Sequence, residues 1–201
     1  YYSAEGQAAP FERQALIKLR HIAGDAALGK KVETHRDSFV YSGAPWDLTV
    51  ALDLRRQQVK QLVEPGQINL KHSHGGIVTL EYAIQYLQVM HGHRHPSLRT
   101  PNTLRALAAL IDVGLIPRTT GENLRKSYLF IRMLIDGLRM VRGNTKDLVI
   151  PPPDSDEFIF LARRVGYQTE DWQAGARHLQ TDIEEHMKQN RQFFEKMFGK
   201  V

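Results

Sequence analysis

Residues 71–103 organise the chain: they read KHSHGG at 71–76, IVTLEYAIQYLQVM at 77–90 and HGHRHPSLRTPNT at 91–103. The first part is a basic turn with two glycines, and the last is a connector rich in histidine and proline. Between them, apolar residues recur at helical spacing and leave only Glu81, Gln85 and Gln88 as a polar stripe. A helix that is apolar nearly all round is normally central, so the sequence predicts a core helix here.

The polar stripe has two interpretations. It could be the wettable edge of a core helix, in which case Glu81 needs a partner such as Arg99 or Arg132, because an unpaired buried carboxylate is costly. Alternatively, the stripe lines a cleft between this domain and another. We favour the second interpretation and take Glu81, Gln85 and Gln88 as candidate interdomain cleft residues.

Composition bounds the class of protein. The chain has 201 residues, of which 42% are hydrophobic, enough for one large or two small domains. Its 27 basic and 22 acidic residues give a net charge of +5, which is compatible with a nucleotide or an acidic partner but too weak to indicate nucleic acid. The chain has no cysteine, which suits a cytoplasmic protein, and no apolar run long enough to span a membrane. It begins at Tyr1, so we expect a piece of a longer protein.

The remaining pattern predicts an all-α fold, a helical bundle of about seven or eight helices. One short N-terminal strand near Ile22 is an alternative to irregular structure there. Residues 1–25 are predicted to be a lead-in or the end of a preceding domain, and residues 26–201 the helical bundle domain.

Several residues predict where helices begin and which faces they bury. Asp25 is a candidate N-cap for a helix whose buried face carries Leu28, Val32 and Phe39. Thr100 before Pro101 predicts a second helix start, and Thr119 with Glu122 a capping box. Acidic residues at 154–157 predict a third start. From Thr169 onward a heptad pattern predicts one long helix, with the seam Trp172, Ala176, Leu179, Ile183, His186, Asn190, Phe193 and Met197.

One charged helix face is predicted to be merely solvated. It carries Arg55, Arg56 and Lys60 on the helix that also contains Leu48 and Val59. Isolated surface charges seldom do specific work, so we assign this face no function.

The turn before the core helix is the best candidate ligand site. Lys71, His72 and His74 precede Gly75 and Gly76, where a helix N-terminus would point backbone N–H groups outward. These five residues are candidates for binding a nucleotide or another anion. The alternative is that two adjacent glycines serve only a turn and a close packing contact.

No catalytic or metal site is predicted. His91, His93 and His95 alternate as metal ligands can in extended backbone, but no carboxylate is near in sequence, and capping of the core helix is the favoured interpretation. Asp154 and Asp156 need no function beyond a helix N-terminus. The sequence contains no nucleophile elbow, P-loop or zinc signature.

The combination of motifs resembles the helical domain that follows the nucleotidyltransferase domain in glutamine synthetase adenylyltransferases, also called a PII-uridylyltransferase-type helical domain. The upstream residues 11–18 and 23–25 resemble the closing segment of the nucleotidyltransferase domain. The motifs that carry the resemblance are Lys71-x-x-x-Gly75-Gly76-Ile77-Val78-Thr79-Leu80-Glu81-Tyr82, Gln85-Tyr86-Leu87, His91-Gly92, His95-Pro96-x-Leu98-Arg99, Asn102-Thr103-Leu104 and residues 161–167.

The resemblance implies AMP transfer from ATP to a tyrosine of glutamine synthetase, with Mg²⁺ held by a Gly-Ser…Asp-x-Asp constellation. That constellation is absent from this sequence. The family usually has Asp-Ile-Glu-Phe where this chain has residues 79–82, and a Glu-His pair where Ile135 and Asp136 stand. The chain is therefore interpreted as a divergent member.

The predicted function is the helical, substrate- or regulator-binding portion of such a nucleotidyltransferase, inactive by itself. Mg²⁺ and ATP are expected only for the full-length family. Expected partners are a nucleotidyltransferase domain in the same chain, glutamine synthetase and a PII-type regulator, without membrane or nucleic acid. The alternative is a non-enzymatic regulatory module that binds a nucleotide or an acidic protein. A metal-dependent enzyme built on His91, His93 and His95 is the least favoured.

Overall fold

A computed structural model describes residues 1–2, 6–9, 11–46, 48–144 and 146–199, so the predicted lead-in at 1–10 lies partly outside the described residues. Within these ranges the chain is all-α, as predicted, without any strand. A 3₁₀ turn lies at Pro96–Leu98, and an isolated antiparallel bridge joins Asn69 to Val149. The helices are α1 (Glu12–Leu16), α2 (Ala26–Val40), α3 (Thr49–Leu62), α4 (Ile77–His91), α5 (Thr103–Asp112), α6 (Arg118–Arg142), α7 (Asp156–Arg164) and α8 (Trp172–Phe198).

The strand considered near Ile22 is not formed. Residues 21–25 are irregular, and Ile22 is 83% exposed. A single extended segment without a partner cannot satisfy its backbone groups by pairing, so irregular structure is the expected outcome. None of the described helices combines the length and the apolar character that crossing a bilayer requires.

The chain forms two compact units. The first comprises Tyr1–Arg55 and Glu81–Gly121, and the second comprises Arg56–Leu80 and Glu122–Val201. The predicted boundary between residues 1–25 and 26–201 stays a prediction.

In the first unit, α1 is fixed to the end of α2 by a buried arginine. Arg13 Nε and Nη2 donate to Val40 O at 3.1 and 2.9 Å, and Nη1 donates to Ala44 O at 2.9 Å. A guanidinium carries five donors, so one side chain can satisfy the end of a helix and the turn after it. The adjoining apolar cluster consists of Ile17, Val40, Tyr41, Trp46, Ala51 and Val89.

The predicted faces of α2 and α3 are wrong at Leu28, Val32 and Arg55. Arg56 and Lys60 on α3 are exposed, as predicted. Asp25 caps α2 as predicted, its carboxylate accepting from Leu28 N at 2.7 Å, but Leu28 and Val32 are exposed and α2 buries Arg36 and Val40 instead. On α3, Arg55 is only 2% exposed, whereas the sequence analysis placed it on the solvated face. Burial lowers the pKa of Arg55 to about 10, because the charged form loses hydration.

Two predicted helix starts also need correction. The residue that caps α5 is Asn102, whose side chain accepts from Arg105 N at 3.0 Å, so Thr100 and Pro101 lie outside the helix. Helix α6 begins at Arg118, directly after Pro117, and Gly121 N already donates to Pro117 O at 2.9 Å. Thr119 therefore lies inside the first turn and cannot be the N-cap of a capping box.

In the second unit, α7 packs against α8. Ser155 caps α7 by accepting from Phe158 N, and Asp171 caps α8, two residues later than the predicted start at Thr169. Helix α8 buries Ala176, Leu179, Ile183 and Asn190 as predicted, but Met187 and Phe194 replace His186 and Phe193 in the seam, and Trp172 is 49% exposed.

Candidate functional site

The Lys71–Gly76 turn lies in the second unit and is closed by its own side chains. Asn69 Oδ1 accepts from Lys71 N and His72 N, each at 3.0 Å. Ser73 Oγ accepts from Asn69 N at 2.8 Å. Such side-chain bonds to the backbone are typical of turns that begin with Asn. Lys71 and His74 are exposed, while Gly75 and Gly76 are buried.

Gly75 is required by both its conformation and its neighbour. Its φ is +88°, and a Cβ atom there would lie 2.1 Å from the backbone O of Met187 on α8. Asn190 Nδ2, also on α8, donates to Gly75 O at 3.0 Å. Gly76 is also enclosed, since an added Cβ would lie 2.8 Å from Leu70 O. The packing function of the two glycines is therefore visible in the structure.

The backbone N–H groups that an anion would need are engaged within the protein. Gly75 N donates to Thr79 Oγ1 at 3.1 Å, and Gly76 N donates to Ser73 O at 2.9 Å. Ile77 N donates to Leu70 O and Val78 N to Lys71 O. An anion at this turn would have to rely on the side chains of Lys71, His72 and His74, and its binding there stays a prediction.

Thr79 explains one departure from the family pattern. Its side chain is 3% exposed, accepts from Gly75 N and lies 3.3 Å from Ser73 O, to which it donates. The usual Asp could accept from Gly75 but, when ionised, could not donate to Ser73 O. A hydroxyl therefore suits this closed turn.

The polar stripe on α4 lies in the first unit, where its side chains bond to other elements. Gln85 Oε1 accepts from Gln14 Nε2 of α1 at 2.9 Å. Gln88 is 2% exposed, and its Nε2 donates to Leu98 O at 2.6 Å and Thr100 O at 2.9 Å. Both amides thus tie α4 to other segments of the unit.

Glu81 is the most exposed member of the stripe, with 26% of its side chain accessible. Its Oε1 lies 3.9 Å from Lys18 Nζ and accepts from Thr103 Oγ1 at 3.4 Å. Arg99, considered as its partner, donates instead to Gly92 O at 2.9 Å, with its guanidinium 5.7 Å from the ring centre of Tyr41. Whether the stripe faces another domain stays a prediction, and Glu81 is its best-placed residue.

A groove of about 250 Å³ adjoins the stripe in the first unit. Its lining includes Gln85, Lys18 and Tyr82 together with the partly exposed Phe11 and Leu54. Burial raises the pKa of Tyr82, and the nearby Arg55 opposes that rise. The burial of Arg55 beside Tyr82 was not predicted from the sequence. A signal for it exists, because Arg55 falls on the same helical spacing as Leu48, Leu52 and Val59.

His91, the last residue of α4, and His93 and His95 after it do not form a metal site with other described residues. Among the described residues, no three His, Cys, Asp or Glu side chains are grouped closely enough to hold an ion. Burial lowers the pKa of His91, and the neighbouring His95, His93 and Arg94 lower it further. Asp154 and Asp156 flank Ser155, whose hydroxyl caps α7.

Comparison with known proteins gives one family. Residues 50–198 match the family described as GlnD PII-uridylyltransferase. The chain is similar to the bifunctional glutamine synthetase adenylyltransferase/adenylyl-removing enzyme of Mycobacterium bovis, with 36% identity over 157 residues that make up 76% of this chain and 16% of that protein. The enzymes of the same name from Corynebacterium glutamicum and Corynebacterium efficiens are 30% and 32% identical over 86% and 90% of this chain, and 17% of each relative. The chain thus spans about one sixth of the length of these relatives.

Proposed function

Because this chain belongs to the GlnD PII-uridylyltransferase family, we propose that it is the helical, non-catalytic portion of a glutamine synthetase adenylyltransferase. The observation that carries the proposal is the coverage: most of this chain aligns with about one sixth of bifunctional enzymes that bear this name. Its proposed task is to support a nucleotidyltransferase domain of the same protein and to present the protein substrate or regulator to it.

The described residues do not fit the Mg²⁺ ion that this reaction requires. The acidic pair Asp154 and Asp156 stands at the N-terminus of α7, and no third His, Cys, Asp or Glu joins it in the described part of the chain. We therefore assign Mg²⁺ and ATP to the nucleotidyltransferase domain. Glutamine synthetase and a PII-type regulator are the proposed partners, and the cytoplasm is the proposed compartment.

The test compares the 201-residue chain with its full-length gene product. Each is incubated with ATP labelled in the adenylate moiety, Mg²⁺ and glutamine synthetase, and the label on glutamine synthetase is counted. We expect transfer by the full-length product and none by the chain alone. Transfer by the chain would contradict a non-catalytic role. A full-length product that folds but labels no glutamine synthetase would contradict the adenylyltransferase assignment and favour the alternative, a regulatory binding module.

A further inference from the structure

A second groove, of about 580 Å³, lies within the second unit and has an aliphatic floor. The floor is formed by the end of α3, the turn after it and α8, through Val59, Val63, Pro65, Ile68 and Met187. Five charged side chains surround it, Lys60, Lys188 and Arg191 with Glu64 and Glu184, and His74 also lines it. Among the described residues that line it there is no Phe, Tyr or Trp, and its one ring is the imidazole of His74.

The three Lys and Arg side chains of this groove are available for a ligand. Lys60, Lys188 and Arg191 form no ion pair with any residue that the structure describes. Of the two acids, Glu184 accepts from Gln180 Nε2 at 3.1 Å. The three side chains are exposed, so each stays hydrated until a bound partner displaces the water.

The charges are not spread evenly along α8. A neighbouring groove of about 610 Å³ is also lined by Glu184. Glu184 therefore lies where the two grooves meet. With a rise of about 1.5 Å per residue, Lys188 and Arg191 lie about 6 and 10 Å further along the helix. The part of α8 that lines the groove beyond Glu184 therefore carries only basic side chains, while Glu64 and His74 line the groove from the turns after α3 and before α4.

This basic part of α8 is built on a rigid contact. Met187 and Asn190, which pack directly on Gly75, are the sequence neighbours of Lys188 and Arg191. The close approach at Gly75 fixes α8 beside the turn and holds the two cations next to His74. Pre-organised backbone lowers the entropic cost of binding.

The groove suits a protein segment better than a nucleotide. A purine is commonly held by stacking on a large aromatic ring, and the described lining offers no Phe, Tyr or Trp, only the imidazole of His74. A phosphate is commonly held by free backbone N–H groups. The N–H groups from Gly75 to Val78 are already donated within the turn. Aliphatic side chains with an adaptable methionine, bordered by flexible cations, are typical of surfaces that accept amphipathic helices.

We propose that this groove docks an acidic amphipathic helix of a protein partner. The apolar face of the helix would cover Val59, Val63 and Met187, and its carboxylates would pair with Lys60, Lys188 and Arg191. The inference concerns the groove itself and holds whichever reaction the parent protein catalyses.

The test uses fluorescence anisotropy with the 201-residue chain and a fluorescein-labelled peptide of about 18 residues, about five helical turns. The peptide carries Leu at helical spacing on one face and Glu on the other. At about 50 mM NaCl, where screening is weak, we expect binding that weakens as salt is raised. The double variant Lys188→Glu/Arg191→Glu should raise the Kd at least about tenfold, because two attractive contacts become repulsive. Val63→Ser should raise it by a smaller factor by removing part of the floor.

The matched control is Lys126→Glu/Lys196→Glu, which makes the same charge change at exposed residues outside the groove. It should raise the Kd by a clearly smaller factor than the groove variant, because Lys126 and Lys196 do not line the groove and make no contact with a peptide docked there. Equal weakening by both double variants would overturn the proposal, as would failure of the peptide to bind. Displacement of the peptide by ATP would overturn it in favour of a nucleotide site. Melting curves of all variants check that each is folded.

Discussion

The Lys71–Gly76 turn before α4 and the polar stripe on α4 form their hydrogen bonds with different groups. At the turn before the helix, backbone N–H groups make the bonds, and Lys71 and His74 remain exposed. In the stripe, the side chains of Gln85 and Gln88 make the bonds and are buried. The turn therefore depends on backbone geometry, whereas the stripe depends on the identity of its amides. Exposed side-chain surface remains at Lys71 and His74 of the turn and, in part, at Glu81.

The largest effect is expected from Gly75→Ala, which breaks the geometry of the turn. The change places a Cβ atom at a φ of +88° and 2.1 Å from Met187 O. The left-handed conformation costs about 1–2 kcal/mol and the forced backbone shift about 1–3 kcal/mol more. We expect the free energy of unfolding, measured with urea, to fall by about 3 kcal/mol or more.

Gly66→Ala separates these two costs. Gly66 has a φ of +79°, but nothing lies within 4 Å of an added Cβ atom. This variant should lose only the conformational cost, about 1–2 kcal/mol. Equal losses in the two variants would mean that the approach of α8 to Gly75 contributes nothing.

Gln88→Leu tests the stripe and is expected to have the second largest effect. The change removes the donor to Leu98 O and Thr100 O while keeping a side chain of similar size. Leu98 O still accepts from Thr100 N at 2.9 Å, whereas Thr100 O loses this donor. Leaving a largely buried carbonyl without its donor costs about 1–3 kcal/mol, which urea unfolding will measure. Gln61→Leu, at an exposed position of α3, is the control and should change stability by less than about 0.5 kcal/mol.

Sequence patterns were sufficient for most of the fold because the signals are local. The apolar run at 77–90 became α4, and Asp25 and residues 154–157 mark the starts of helices. Gly75 was recognisable as a turn with close packing. Errors arose where two residues close together in sequence could both cap the helix. Thr100 and Asn102 are both good N-caps, and only the path of the connector selects Asn102.

Other features depend on tertiary contacts that no spacing reveals. In α8 the buried residues are Met187 and Phe194, each one position after the predicted His186 and Phe193. The reason is that α8 packs on the Gly75 turn through Met187 and Asn190. Arg55 falls on an apolar face of α3, yet a charged side chain is assigned to solvent by default. The bonds of Gln85 and Gln88 join segments far apart in sequence, so the stripe could not be recognised as internal.

A smaller, pH-dependent effect on stability is expected from His186, which is half-buried at the edge of the buried face of α8. Its Nδ1 lies 2.9 Å from the buried Ser127 Oγ, and its ring centre lies 4.4 Å from that of Phe130. Burial lowers the pKa of His186, while Asp182 and Glu185 partly oppose this. As the pH falls through the ordinary histidine value of about 6.5, the unfolded chain takes up the proton first, so stability decreases.

His186→Gln should therefore reduce the loss of stability between about pH 7 and pH 5. The loss will not vanish, because the pKa of His91 is also lowered. Urea unfolding at several pH values measures the slope, with His178→Gln, an exposed position of the same helix, as the control. An unchanged slope in the His186 variant would contradict the assignment.

Glu81→Gln is expected to change stability least, and it sharpens the comparison between the two regions. Unlike Gln88, Glu81 keeps 26% of its side chain accessible and lies 3.9 Å from Lys18, itself 42% accessible. Exposed ion pairs contribute about 0–1 kcal/mol. The melting curve should therefore shift little, whereas a paired acid in the core would lose about 1–3 kcal/mol on the same change.

The activity of the full-length protein decides what Glu81 does. If Glu81 faces a catalytic domain, Glu81→Gln should lower kcat/KM for labelling of glutamine synthetase by about fivefold, a loss of about 1 kcal/mol in transition-state stabilisation. Glu122→Gln, which makes the same change at an exposed position near the start of α6, should leave both stability and activity unchanged. Each rate is divided by the folded fraction from the melting curve. A large loss of stability with normal activity per folded molecule would show that Glu81 serves the interior of the first unit, as Gln88 does, and would end the cleft interpretation.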